Sequence, residues 1–499
     1  MNRIFACVLL VLPALVAAQE PASPTIPGPD DVAGFACQDE KPKQDPPKQD
    51  DLDKRTKQKQ GEMTKIRALE FKNGVKVGVY SKDELIEFLK KEMEKEAPRE
   101  KVLRYQKAYQ HFQLVPKDFD LYEATIDLLG SSIAGFYHPK TKEMRLVRAA
   151  DGEGDPAEKL FEQQFGVTME DITLVHELCH AAQDQNFELT TLPMDDETND
   201  DMVAAIKGLV EGDASIVGWK YCFKDNFDMY IGPTNAQYKS GMLPGKGADL
   251  PAYMRKTLTF PYGYGTEFVL AVWRAQKEDW SAVSKMFEDP PSSTEQILHP
   301  KKYYQDRDNP TVITLDGIGR IVGDSWKEQI NNVHGEYVIR ILLGEFKAQR
   351  TREIDKIAAG WDGDRFHTFE SGDKLMTVWY TTWDSEDDAR EFFEGYGKAI
   401  EAKYEKPAKD AADQKCVFDA GKAGKVLIER RGVDVLVIDG ADASLLEKAN
   451  AIWSSAKKTE LKKIERQKMT HWCPKHATEQ GTKAEKCRVC GEEMKKKDY

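Results

Sequence analysis

The sequence predicts an α+β protein in three parts: a mainly helical region with a small mixed sheet, a separate α+β domain, and a short tail held together by metal. Three observations predict it. Apolar residues recur at helical spacing on both sides of one hairpin signal, AGFYHPKTKEMRLV at 134–147. From about residue 365 the pattern changes to a β-β-α-β-β-β-α order. Residues 471–494 then gather Cys473, His476, Cys487 and Cys490 in a segment too short to build an apolar core. With 499 residues, more than one domain is expected. Hydrophobic residues at 40% and charged residues at 31% describe a globular chain. A net charge of −13 argues against a nucleic-acid partner.

Residues 1–18 have the form of a cleaved signal peptide: a positive start, an apolar stretch, and small residues ending at Ala18. No later segment is long and apolar enough to span a bilayer, so a secreted or periplasmic protein is expected. Residues 19–62 are rich in Pro, Gln, Lys and Asp and predict a disordered linker. The folded region is expected over 63–364. It opens with a strand at 75–79, a helix at 81–96 capped by Ser81, and helices near 100–112 and 118–130. The hairpin at 134–147 turns on Pro-Lys-Thr-Lys and is placed to border a cleft; an ordinary structural hairpin fits the residues equally.

The next helix carries ITLVHELCHAAQDQ, residues 172–185. Thr168 with Asp171 three residues on has the form of a capping box. Ile172, Val175, Leu178, Cys179 and Ala182 recur at helical spacing, so one side should be buried and Cys179 should face the core. A Cys179–Cys222 bridge is the alternative, open in an oxidising compartment. Asn199 can cap a further helix, whose apolar residues run from Met202 to Val217. Residues 230–265, rich in Gly, Pro and Tyr, predict a long irregular region that lines a site. The second domain is expected over 365–460, with strands in RFHTFES, KLMTVWYTTW, KCVFDA, KVLIERR and VDVLVID and a helix at 385–404.

Within the 172–185 helix, His176 and His180 are one helical step of four apart, which returns the side chain to within about 40° of its starting direction. Two imidazoles on one face can hold a single Zn²⁺. Glu177, one residue round, can reach an attacking water without ligating the metal. A catalytic zinc needs a third protein ligand. Gln183 and Asn186 stand where the metzincin continuation needs Gly and a ligand, and GTEFVLA at 265–271 lacks the Asp context of aspzincins. A Glu on a following helix remains, and Glu211 in LVEGDA is the candidate, with Glu267 in reserve. Glu211 as a solvated helix residue is the competing reading. Asp213 and Asp184 are either supports for a ligand or surface acids. Tyr262, Tyr264 and His299 are candidate donors to a transition-state oxyanion, with ordinary packing as the alternative for each.

His176-Glu177-x-x-His180 followed by Glu211 resembles the gluzincin metallopeptidases. The resemblance implies a zincin-like fold, zinc held by His176, His180 and Glu211, and Glu177 as general base in peptide hydrolysis. More loosely, residues 65–455 resemble large secreted bacterial gluzincin-like proteins of unsettled substrate. In the tail, Cys473-x-x-His476 and Cys487-x-x-Cys490 satisfy a tetrahedral Cys₃His site. Residues 465–499 resemble the small heavy-metal-binding domain found beside metal efflux components, matching at Cys473, Pro474, His476, Cys487, Cys490 and Gly491. Lys475 and Glu492 replace that family's usual Met and Ala477 replaces Pro, which favours a structural zinc over Cu(I), another soft metal being the alternative.

The expectation is therefore a secreted zinc peptidase acting on a peptide or protein, with catalytic Glu177. The competing expectation is a non-catalytic extracytoplasmic metal-binding or interaction protein on a zincin scaffold.

Overall fold

A computed structural model describes residues 49–132, 135–147, 156–243, 245–467, 471–472, 480–481 and 493–496. The expected signal peptide and the four tail ligands, Cys473, His476, Cys487 and Cys490, lie outside the described residues. The fold is α+β, with helices dominating the first part and a large sheet the second.

The first helix, α1 (Gln49–Arg67), corrects the expected linker, whose last residues it occupies. Its apolar content is low, yet Leu52, Met63 and Arg67 are buried. Charge contacts to a distant helix explain the order. Arg55 donates to Asp171 at 2.6 Å and to Glu170 at 2.6 Å, and Lys59 pairs with Asp171 at 3.2 Å. Strand β1 (Lys76–Tyr80) and helices α2 (Lys82–Glu96), α3 (Arg99–His111) and α4 (Leu121–Ser132) follow as expected. Ser81 and Glu84 complete a reciprocal capping box at the start of α2.

The hairpin is β2 (Gly135–His138) and β3 (Glu143–Val147). Together with β1 these strands form a sheet of order β1-β3-β2, in which β1 runs parallel to β3 and β2 antiparallel to it. Helix α5 (Pro156–Phe165) leads into α6 (Met169–Phe187), which Thr168 caps by accepting from Asp171 N. Asn199 caps α7 (Asp200–Phe223) in the same way, accepting from Met202 N. Both are central helices: Ile172 through Asp184 of α6 is buried without a break, where one buried side was expected.

The segment 230–265 is another correction. It folds as α8 (Phe227–Lys239), α9 (Ala252–Phe260) and a π-helical turn, Pro261–Gly265, running straight into α10 (Thr266–Ala275). Its glycines serve close packing. A Cβ on Gly212 of α7 would lie 2.4 Å from the Gly265 carbonyl oxygen, and one on Gly265 would lie 2.3 Å from that of Gly208. Backbone thus rests on backbone, which no larger residue permits.

The remaining described residues form a two-stranded and a seven-stranded sheet, with a small three-stranded one of residues 471–472, 480–481 and 495–496 at the end. Strand β4 (Thr311–Leu315) pairs with a late strand, and β5 (Lys327–Asn332), β6 (Trp361–Ser371), β7 (Lys374–Trp383), β8 (Asp410–Ala412), β9 (Lys415–Asp419), β10 (Lys425–Arg431) and β11 (Asp434–Ala441) make the largest. This seven-stranded antiparallel sheet has the order β5-β6-β7-β11-β10-β9-β8, with the helix Glu386–Tyr404 packed on it. β12 (Ala456–Glu460) returns to pair with β4. The expected boundary at residue 365 therefore cuts β6; the sheet takes in β5, whose polar KEQINN gives no clear strand signal.

Candidate metal centre

Helices α6 and α7 cross where Gly218 faces α6, with its hypothetical Cβ 3.7 Å from the His176 Cβ. That approach puts Glu211, two turns earlier on α7, opposite both histidines. His176 Nε2 and His180 Nε2 are 3.0 Å apart, and Glu211 Oε2 lies 3.2 Å from the first and 3.4 Å from the second. All three residues are buried. Four ligands in a tetrahedron with bonds of about 2.0–2.1 Å stand about 3.3 Å from one another. The observed triangle has that size, and its donor set of two imidazoles and one carboxylate suits zinc, so the residues fit the ion.

The charges in the triangle are interdependent. Burial works to raise the Glu211 carboxyl, but His180 and His176 outweigh it and hold it down at about 2. Burial works to lower His180, and Glu211 outweighs it, lifting His180 to about 9. For His176 burial prevails, and its pKa falls below the usual value.

Glu177 is fully buried beside the triangle, on the side of the β2–β3 hairpin. Its Oε2 accepts from the Tyr137 backbone N–H of β2 at 2.6 Å, while Oε1 has no hydrogen-bond partner among the described residues. An orphaned buried carboxylate oxygen is costly, and this carboxylate is near enough to His180 and Glu211 to feel their charges. Burial pushes the Glu177 carboxyl up to about 8, His180 opposing. A divalent cation in the triangle would draw it back toward the ionised form.

A chain of buried groups supports His180. Its Nδ1 stands 2.9 Å from Gln183 Oε1, so with Nε2 facing the triangle the Nδ1–H donates to Gln183. Gln183 Nε2 donates to Asp213 Oδ2 at 2.9 Å and to the Val210 carbonyl at 3.1 Å. Asp213 Oδ1 accepts from Arg67 Nε at 2.6 Å, and Arg67 lies over the Trp280 ring. Asp213 is thus a buried support and not a surface acid. Gln183, Arg67 and Tyr137 were missed as site residues in the sequence. Only Gln183 had a local signal, being three residues from His180 on the same helix.

Asp184 is buried too and fastens the hairpin to α6. It accepts from Tyr137 Oη at 2.8 Å, Lys142 Nζ at 2.5 Å and Leu189 N at 3.1 Å. Of the three candidate donors, Tyr262 is the one brought to the centre: its ring lies 6.4 Å from that of His176, and its hydroxyl, buried beside Glu211, is pushed well above its ordinary pKa. A small cavity of about 20 Å³, lined in part by His176, Trp219, Tyr238 and Tyr262, adjoins it. Tyr264 packs on Tyr337, and His299 stands 3.0 Å from Glu336. The reserve ligand Glu267 is half-exposed and pairs with Lys239 at 2.7 Å. Cys179 and Cys222 are both free thiols, both buried, so the alternative bridge is absent.

A second group with metal-like spacing is Glu295, Asp308 and Asp384. Lys302 Nζ stands among them, 2.7 Å from Glu295, 2.8 Å from Asp308 and 2.8 Å from Asp384. The cluster carries its own cation. Among the described residues no helix is long and apolar enough to cross a membrane.

A family model described as a domain of unknown function, DUF8575, matches residues 324–450. That span covers β5 to β11, the seven-stranded sheet, and leaves the metal centre outside it. Neither a curated protein nor a solved structure matches the chain.

Proposed function

We propose that this chain is a secreted zinc-dependent peptidase of gluzincin type, with His176, His180 and Glu211 as zinc ligands and Glu177 as general base. The observation that carries the reading is the ligand triangle of 3.0, 3.2 and 3.4 Å together with the Glu177 carboxylate, which feels the charges of His180 and Glu211 and whose Oε1 has no hydrogen-bond partner among the described residues. Zinc, when bound, would supply a Lewis acid that polarises a carbonyl and acidifies water. Glu177 takes the proton of the attacking water on Oε1 and returns it to the leaving amine. The Tyr137 N–H holds Oε2, which fixes the carboxylate plane. Tyr262 Oη, beside Glu211, is the donor to the developing oxyanion. Gln183 keeps His180 in the tautomer that leaves Nε2 free to ligate. The expected signal peptide at 1–18 supports secretion, and the tail resemblance supports a second, structural zinc at Cys473, His476, Cys487 and Cys490.

One observation favours a second reading, a catalytically idle metal-binding protein. The three ligands and Glu177 are all at most 4% exposed, and the adjoining cavity holds about one water. Peptide access then requires movement of the π-helical turn or the hairpin. Peptide-library digestion by the wild-type protein and by Glu177→Gln, each with and without chelator, separates the readings. The peptidase reading expects chelator-sensitive cleavage that falls about 10²–10⁴-fold in Glu177→Gln with zinc content unchanged. Zinc content without cleavage in the wild type favours the idle scaffold.

A further inference from the structure

We propose that the junction between α3 and the seven-stranded sheet is a binding site for a small organic phosphate monoester. A cavity of about 390 Å³ opens there. Its walls are His111 at the end of α3, Lys117 just beyond, Lys374 at the β6–β7 turn, Lys403 and Tyr404 at the end of the sheet-covering helix, and Lys422. The volume lies in the range of sites for small molecules and exceeds what bare phosphate would fill.

The charge balance names the ligand class. Lys117, Lys374, Lys403 and Lys422 bring four positive charges, and Asp373 on the wall and Asp439 behind it bring two negative, an excess of two. This stands out in a chain with net charge −13. Lys403 is committed to the fold: its ammonium donates to Asp439 at 2.6 Å and to the His111 carbonyl at 2.7 Å, and Tyr404 donates to Asp439 at 2.6 Å. Lys117, Lys374 and Lys422 are exposed and have no ion pair among the described residues. Three ammonium groups on flexible stems from three separate segments can gather around a tetrahedral oxyanion, and a dianion neutralises the excess.

A second feature points the same way. His111 Nε2 is buried, has no hydrogen-bond partner among the described residues, and stays 3.8 Å from Asp439 Oδ2. A buried ring nitrogen without a partner is expensive. His111 lines the cavity, and a turn of its ring would bring Nε2 to a ligand hydroxyl or phosphoryl oxygen. Tyr404, Leu375 and Ala423 supply carbon surface for the organic body.

Titration calorimetry on the full chain at about 0.15 M salt tests the site, with inorganic phosphate, glucose 6-phosphate, glucose and citrate as probes. Glucose 6-phosphate is expected to bind with Kd below about 1 mM, more tightly than inorganic phosphate, and glucose not at all. The double variant Lys374→Gln, Lys422→Gln is expected to raise that Kd at least about tenfold, while Lys72→Gln, an exposed lysine elsewhere, leaves it unchanged. The substituted side chains are exposed, so thermal unfolding of each variant should match the wild type. Three results each overturn the proposal: no binding of either phosphate probe up to about 10 mM, equal affinity in the double variant, or tighter binding of citrate than of glucose 6-phosphate.

Discussion

Among the described residues, two places bring three metal-capable side chains within ligand distance, and they differ in what sits at the centre. In His176, His180 and Glu211, the donors include two imidazole nitrogens, and among the described residues no lysine or arginine stands between them. In Glu295, Asp308 and Asp384, every donor is a carboxylate and the Lys302 ammonium occupies the middle. Carboxylates alone repel one another, so the fold supplies a cation of its own. Imidazoles are neutral when deprotonated and can stand close without one. Spacing is therefore a poor criterion for a metal site, and the chemistry of the donors is a better one.

The largest effect expected from this contrast is on metal content. His180→Ala should lower zinc affinity at least about a thousandfold, since it removes one of three protein ligands. Zinc per chain, measured by elemental analysis after dialysis against a weak chelator, checks it. Because the tail is a second expected site, the measurement belongs on a chain ending near residue 467 as well as on the full one. Retention of full zinc in the shorter His180→Ala chain would break the assignment. Next in size is Lys302→Met, expected to cost about 3 kcal/mol because Glu295 loses its buried partner. If the contrast is right, millimolar Ca²⁺ should restore part of that loss in the variant and leave the wild-type melting temperature unmoved.

The support behind His180 ranks third. Gln183→Leu leaves the Arg67–Asp213 pair in place but removes the acceptor for His180 Nδ1–H, and zinc affinity should fall about 10–100-fold. An unchanged affinity would show that the ring is held by packing alone.

The pattern His-Glu-x-x-His was readable because a four-residue step on one helix is a local property, and Glu211 because the other third-ligand patterns fail and leave an acid on a following helix. The rest of the centre was not local. Tyr137 reaches Glu177 through a backbone N–H, which has no sequence signature. Arg67 reaches Asp213 from the far end of α1, and residues 49–62 of that helix read as a disordered linker because its stability comes from Asp171, Glu170 and Asp213, not from its own apolar content. Residues 261–265 read as loop for a similar reason: composition reports that glycine is present, not that another backbone will press against it. The sheet strands β6, β7, β9, β10 and β11 were legible because each alternates or is continuously apolar, whereas β8, only DAA, gave no signal and β5 is polar and was assigned to the wrong side of the boundary.

The smallest effect separates histidines by the same rule, partner against burial. His180 faces a carboxylate and is lifted to about 9. His334, buried with Phe366 stacked at 4.2 Å and Phe112 and Trp379 edge-on, is pushed down to about 3 by burial. Asp364 accepts from its backbone N–H, not from its ring, and Asp201 lines the same cavity while bonded to Thr294, so neither carboxylate offsets the desolvation of the ring. The sign follows from proton uptake. Between pH 6.5 and 3 the unfolded chain binds a proton at His334 that the folded chain does not, so the stability due to this neutral ring is present above 6.5 and lost as pH falls. His334→Phe keeps the stacking and removes the titration. Between pH 6.5 and 4.5 the wild type should therefore lose about 2 kcal/mol more than the variant in chemical denaturation. Parallel pH profiles would mean that the ring finds a proton acceptor when charged, and that burial alone does not decide the state of a histidine in this core.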